Sequence, residues 1–205
     1  MYPHSSAVDQ ENDLTQLRLA ITNDLGAGFV ELVRMYGRTV YAVAFRLTHS
    51  SIEAEDLSSE CFLRAFRALQ SFPQERVLNL EPRAWLLTIL LNTWRNGLRD
   101  ESRRVAEVRM AEPPDQSDAG AGVEEQVLRR EANVELRQML SYLSPAQRAA
   151  VVLRHVAGLP IAEISSILGC REGTAKSHIS RGMTALRRMY AEQLRGGEGV
   201  PSRSA

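Results

Sequence analysis

The stretch Leu159–Met189, LPIAEISSILGCREGTAKSHISRGMTALRRM, decides how the last third of the chain folds. Ile161, Ile164 and Leu168 share one helical face that ends at Gly169, and a new face of Ala175, Ile179, Met183 and Leu186 begins after Gly173. Two short helices joined by a tight turn containing glycine have helix-turn-helix geometry, with the second helix able to enter a DNA major groove. Thr174, Lys176, Ser177, Ser180 and Arg181 point away from the apolar face. Hydroxyls and cations there suit phosphates and base edges better than a protein core. A plain helical hairpin with a solvated basic face is the competing reading. Local charge favours DNA, because residues 136–195 hold nine bases and three acids, a net of +6.

The total conceals that charge. The 205 residues carry 25 basic and 25 acidic side chains, a net charge of zero. Residues 107–135 hold eight acids and three bases, a net of −5, whereas residues 83–104 come to +3 and the first 24 to −3. Such segregation predicts partners of both signs, with a polyanion for the basic end. Lys176 is the only lysine. Every other base is an arginine, whose planar fork suits carboxylate, phosphate and guanine.

Upstream, helical spacing again dominates. Phe29, Val33, Tyr36, Val40, Val43 and Leu47 recur at three- and four-residue steps. A second helix runs from after Ser51 to about Leu69, with Leu57, Cys61 and Ala65 on one stripe and Phe62, Phe66 and Leu69 beside it. Glu53, Glu55 and Asp56 crowd its first turn, where carboxylates favour the helix dipole. After a break at SFPQERVLNLEP, a third helix opens at Pro82 and is apolar on most sides: Trp85, Leu86, Leu87, Ile89, Leu90, Leu91, Trp94, Leu98. A helix apolar nearly all round belongs at the centre of a bundle. Residues 105–123, with Pro113, Pro114, Gly120 and Gly122 among acids, read as a linker. Helical pattern resumes near Glu124, and Ser144-Pro145 marks a helix start.

Several function classes drop out. The most apolar run, Ala84 to Leu91, is far short of the ~20 residues of a membrane helix. The amino terminus lacks the basic start and apolar stretch of a secretory signal, so a soluble cytoplasmic protein is expected. Cys61 and Cys170 are too few for a disulfide framework, and the four histidines lack zinc spacing. Both cysteines read as packing residues, as do Trp85 and Trp94. Gly173-Thr174-Ala175-Lys176-Ser177 is no phosphate-binding loop, because Ala175 precedes the lysine and no strand leads in. No catalytic constellation, metal site or cofactor motif is present, so the protein is read as a non-enzyme.

Taken together, EAEDLSSECFLRAFRAL (53–69), RAWLLTILLNTWRNGLRDESRR (83–104) and LSPAQRAAVVLRHVAGLPIAEISSILGCREGTAKSHISRGMTALRR (143–188) resemble the extracytoplasmic-function sigma factors of bacteria. The resemblance covers roughly residues 25–104 and 130–190. The helix-turn-helix alone is unspecific, since LuxR-type regulators carry a similar one. The E-D-L…E-x-F-L-R-A-F pattern followed by R-A-W-L…N is specific.

The resemblance implies an all-α chain of two small domains: region two over 25–104 and region four over 130–190. A flexible acidic linker (105–129) would join them, with variable tails at 1–24 and 191–205. Glu53, Glu55, Asp56, Glu60 and Arg64 would dock on the clamp of the largest subunit of RNA polymerase core, which also offers its flap. The irregular segment 71–81 would capture a flipped base of the minus-ten element. Asn92, Arg95, Arg99, Arg103 and Arg104 would meet the opened minus-ten DNA. Arg171, Glu172, Thr174, Lys176, Ser177 and Arg181 would read the minus-thirty-five element. An anti-sigma protein is expected to cover the apolar helix and acidic face. Four positions depart from the family pattern: Ser165 (usually Ala), Ala175 (usually Val), His178 (usually Arg) and Gly182, which costs ~1 kcal/mol in a helix relative to Ala.

Energetics point the same way. Opening DNA costs about 1.4 kcal/mol per base step, so a bubble of about ten steps needs more than 10 kcal/mol. With no nucleotide-hydrolysis motif, binding energy must supply that, and a large partner that holds the strands is required. The −5 linker would avoid DNA and could thread a basic channel, in the family the active-site and RNA-exit path. The alternative is an autonomous LuxR-like helix-turn-helix regulator, which would bind duplex DNA specifically by itself.

Overall fold

The computed structural model describes residues 7–108 and 136–197. All regular elements among them are helices: α1 (Ala7–Asn23), α2 (Leu25–Thr48), α3 (Ser51–Leu69), α4 (Gln74–Leu78), α5 (Pro82–Val108), α6 (residues 136–141), α7 (Pro145–His155), α8 (Ile161–Leu168) and α9 (Glu172–Gly197). They form two compact units. The first is built on residues up to Phe45 together with Ser50–Arg95, the second on Arg46–His49 and residues from Asn96 onward.

In the first unit α5 lies at the centre, as its composition requires: Leu86, Leu87, Leu90 and Leu91 are fully buried and Trp94 nearly so. Leu57, Cys61, Ala65 and Leu69 of α3 are buried too, while Phe62 and Phe66 meet Phe29 edge-on, with ring centroids 6.3 and 5.0 Å apart. Ser50 caps α3 by accepting from the Glu53 amide. Three expectations are corrected. On α2, Val40, Val43 and Leu47 are buried as the spacing predicts, but Leu32 takes the buried place expected of Val33, which is 37% exposed. Residues 7–23 are no tail: they form α1, whose Leu17 and Ile21 are buried. The segment 71–81, expected to be irregular, contains α4, against which α1 packs.

α1 and α2 meet in a sharp turn at Asp24, whose amide donates to Ala20 and whose carbonyl accepts from Gly28. Gly28 is buried so tightly that a Cβ there would lie 2.3 Å from the Ile21 nitrogen and 2.6 Å from the Ala20 carbonyl carbon. Only glycine fits without moving backbone.

The second unit packs α7, α8 and α9 on one another around Val152, Leu153, Leu159, Ile164, Ala175 and Leu186. Ser144 opens α7 with a capping box, its side chain accepting from Gln147 N while the Gln147 side chain accepts from Ser144 N. Gly169 ends α8 in the left-handed region at φ 65°, which lets Cys170 N reach back to Ser165 O at 3.0 Å. α5 continues to Val108, past the expected linker start. The unit boundary falls at Arg95/Asn96, where α5 leaves the core and Asn96, Gly97, Arg99 and Asp100 are exposed. The rest of the linker and the C-terminal residues from 198 lie outside the described residues.

The two thiols differ sharply. Cys61 is fully buried, its Sγ 3.4 Å from the Leu86 carbonyl, and burial pushes its thiol up to about 12. Cys170 is partly exposed. A maleimide should therefore label the native protein once, at Cys170, and a second time only after denaturation. Mass spectrometry checks this, and native labelling at Cys61 would contradict the burial.

Candidate nucleic-acid interface

Three surfaces carry the residues singled out above. On α9, Thr174, Ser177 and Arg181 follow i, i+3, i+7 spacing and share one exposed face, while Lys176 and Glu172 are exposed on other sides of the helix. Arg171, also exposed, stands just before the helix and its carbonyl accepts from the amides of Thr174 and Ala175, so its backbone is fixed while its side chain remains outside. The opposite face explains two departures. Ala175 is fully buried and must be small. Gly182 faces α7, where a Cβ would come within 2.6 Å of Val151 Cγ2. Its helix cost relative to Ala is thus offset by close packing, and it lies away from the exposed face of Thr174, Ser177 and Arg181. His178 is half-buried, and Ser165 is buried with its hydroxyl donating to Ala162 O at 2.8 Å.

On α5, Asn92, Arg95, Arg99 and Arg103 recur at i, i+3, i+7 and i+11, a single stripe along one helix. Asn92, Arg99 and Arg103 are exposed and Arg95 is half-buried. Arg99 donates to the Asn96 side chain at 3.4 Å, and Arg103 lies 4.0 Å from Asp100. The side chain of Arg104 lies outside the described residues. At its upstream end the stripe reaches Trp85, expected as core but half-buried, with its ring 5.6 Å from Phe72. Arg76 in turn covers Phe72, its guanidinium carbon 3.7 Å from the ring centroid. Beside this stack lies a cleft of about 480 Å³, lined by Pro73, Glu75, Arg76, Asn79, Leu80 and Glu81. The segment was legible as a break between helices, yet nothing in its composition marked the cleft.

On α3, Glu55 and Asp56 are exposed in the first two turns, near Glu53. Glu60 and Arg64 are joined by an ion pair at 2.6 Å, so they compensate each other within the helix. Ile52 (72% exposed) and Leu63 (44%) flank the acids on the same side, a pairing of apolar and acidic side chains that sequence reading passed over. Among the described residues no cluster of His, Cys, Asp or Glu is arranged to hold a metal. No described helix is long and apolar enough to cross a membrane.

An all-helical protein of two units, one a helix-turn-helix with a hydroxyl and cation face, is the class this geometry defines. Residues 32–104 match Sigma-70 region 2, and residues 133–186 match Sigma-70, region 4. The ECF RNA polymerase sigma factor SigE of Mycolicibacterium smegmatis is 34% identical over 166 residues, 79% of this chain and 61% of that protein. The ECF sigma factor BldN of Streptomyces coelicolor is 31% identical over 167 residues, 82% of this chain and 62% of that protein. This chain therefore spans about three fifths of the length of these two relatives. Among solved structures, the sigma factor RpoE of Bartonella quintana, in complex with the anti-sigma factor NepR, aligns with a TM-score of 0.64 and 25% identity, over 80% of this chain and 96% of that one. CnrH, in complex with the cytosolic domain of CnrY, shares the fold at a TM-score of 0.64 and 18% identity, over 88% of this chain and 98% of that one. The chain belongs to the extracytoplasmic-function sigma factors and carries their regions two and four.

Proposed function

We propose that the protein is a promoter-specificity subunit that binds RNA polymerase core in the cytoplasm and directs initiation without catalysing a reaction itself. The observation that carries this reading is the coexistence in one chain of an exposed acidic and apolar face on α3, a basic stripe on α5, and a helix-turn-helix face on α9. α3 docks on the clamp through Glu55, Asp56 and their neighbours. The α5 stripe from Asn92 to Arg103, with Arg104 next in sequence, holds the opened minus-ten strand, and the 71–81 cleft takes an unstacked base. Arg171, Glu172, Thr174, Lys176, Ser177 and Arg181 read the minus-thirty-five duplex. The two compact units, the first with α1 included, act as the two working domains. The autonomous LuxR-like reading has no place for the region 2 match at residues 32–104.

Fluorescence anisotropy tests the division. The free protein should bind a minus-thirty-five duplex weakly, and addition of core should create tight binding to a promoter fork. Specific, tight duplex binding by the free protein would favour the autonomous regulator. In the holoenzyme, Arg181→Ala should weaken minus-thirty-five binding by about tenfold. If Arg181 contacts a phosphate, the salt slope should flatten by about one and all sequences weaken alike; if it reads a base, discrimination at one position should relax. Unchanged affinity would show that the reading face is misplaced.

An anti-sigma protein is the second partner proposed. The apolar helix α5, expected to be part of its surface, is buried in the core, so its surface would be the α3 face, where Ile52 and Leu63 are exposed beside carboxylates. The complex of the sigma factor RpoE with the anti-sigma factor NepR lends this support.

A further inference from the structure

α4 is five residues long, too short to hold its own conformation in water. Tertiary contacts must fix the cleft it forms. One end is held by the Phe72, Trp85 and Arg76 stack. The other is held from α1, by a residue far away in sequence. Arg18 Nε donates to the Leu80 carbonyl at 2.8 Å, and its Nη2 donates to Glu81 Oε1 at 2.8 Å. The Arg18 side chain is only 13% exposed, whereas that of Glu81 is 74% exposed. Two prongs of one planar group thus grip the backbone of one residue and the side chain of the next, a geometry that lysine cannot reproduce. Leu17 and Ile21 of α1, with Val77 and Leu80 beyond, are buried, so the grip sits on a packed base. Tyr36 of α2 borders the same junction. Burial raises its phenol above the usual range, and Arg83, Glu81 and Arg18 all lie close enough to act on it.

We propose that Arg18 is a positioning residue for the minus-ten cleft: by fixing Leu80 and neutralising Glu81 it sets the wall against which the captured base is selected. The inference rests on the reading of 71–81 as the base-capturing segment. Arg18 is too buried to meet DNA itself, so it acts through the two cleft residues it holds. Without it, the Leu80 carbonyl loses its donor and an unpaired carboxylate stands at the rim of a DNA-facing cleft.

The test uses the full chain bound to core RNA polymerase. The probe is a fork-junction DNA library randomised across the minus-ten non-template strand, and bound sequences are counted. Arg18→Lys and Arg18→Gln should each flatten the minus-ten base preference by about five- to tenfold. Preference in a minus-thirty-five library and co-elution with core should stay as in the wild type. Hydrogen exchange should speed up at amides 74–81 while the α5 core remains protected, which separates a loosened cleft from unfolding. A third protein, carrying the 74–79 segment of another family member, checks the underlying reading. If that exchange moves the preference and both Arg18 variants leave it intact, Arg18 is structural only and the proposal fails. If the exchange itself changes nothing, the base-capture reading fails and takes the proposal with it. Equal losses at both promoter elements and in core binding would mark global damage and also overturn it.

Discussion

Glu55→Arg combined with Asp56→Arg should abolish co-elution with core polymerase, with affinity falling by on the order of 100-fold or more. Both carboxylates are exposed in the first two turns of α3, so the change leaves the core of the unit untouched. Juxtaposed like charges cost an interface several kcal/mol, and every 1.4 kcal/mol is tenfold in affinity. Glu60→Arg should do less, because Glu60 is already paired with Arg64 and its loss leaves that arginine unpartnered at the edge. Gel filtration with core enzyme reads the result, and circular dichroism confirms that the variant is folded. If the reversed protein still co-elutes with core, the docking face has been placed on the wrong helix.

The second large effect is on stability. Gly28→Ala should destabilise the first unit by about 1–3 kcal/mol or more, because the new methyl group meets the backbone of Ile21 and Ala20 rather than a movable side chain. For a unit of this size each kcal/mol lowers the melting temperature by about 4–8 °C. Gly97→Ala provides the contrast. A Cβ at Gly97 meets nothing within 4 Å, and its position in exposed α5 should make the change stabilising by about 0.5–1 kcal/mol. Thermal melts of the two variants should move in opposite directions. A neutral Gly28→Ala would mean that α1 does not pack on α2 as described.

These residues also show what the sequence could and could not disclose. The centre of the first unit was legible, because α5 is apolar on nearly every side and only a bundle core accommodates that. The helix-turn-helix was legible because Gly169 ends one apolar face and a second begins six residues later, at Ala175. α1 was missed although Leu14, Leu17 and Ile21 repeat at i, i+3 and i+7, since the segment is net negative and lies outside the stretch that carries the family resemblance. α4 is a single turn, too short to leave a periodic trace. Gly182 read as a weakness of α9 because a glycine that permits close packing cannot be told from a costly one until the neighbour is known. Arg18 offered no signal at all. Its partners lie 62 and 63 residues away, and no local pattern encodes such a pairing.

Run-off transcription separates a core-dependent specificity subunit from an autonomous regulator. Purified core polymerase is supplied with a library of promoter fragments randomised at the minus-thirty-five and minus-ten positions, with and without this protein. Discrete transcripts should appear only when the protein is added, from templates sharing one sequence at each element. These transcripts should vanish with Glu55→Arg/Asp56→Arg. Transcription that stays unselective with the protein present, or selection that survives the loss of core binding, would contradict the core-dependent role.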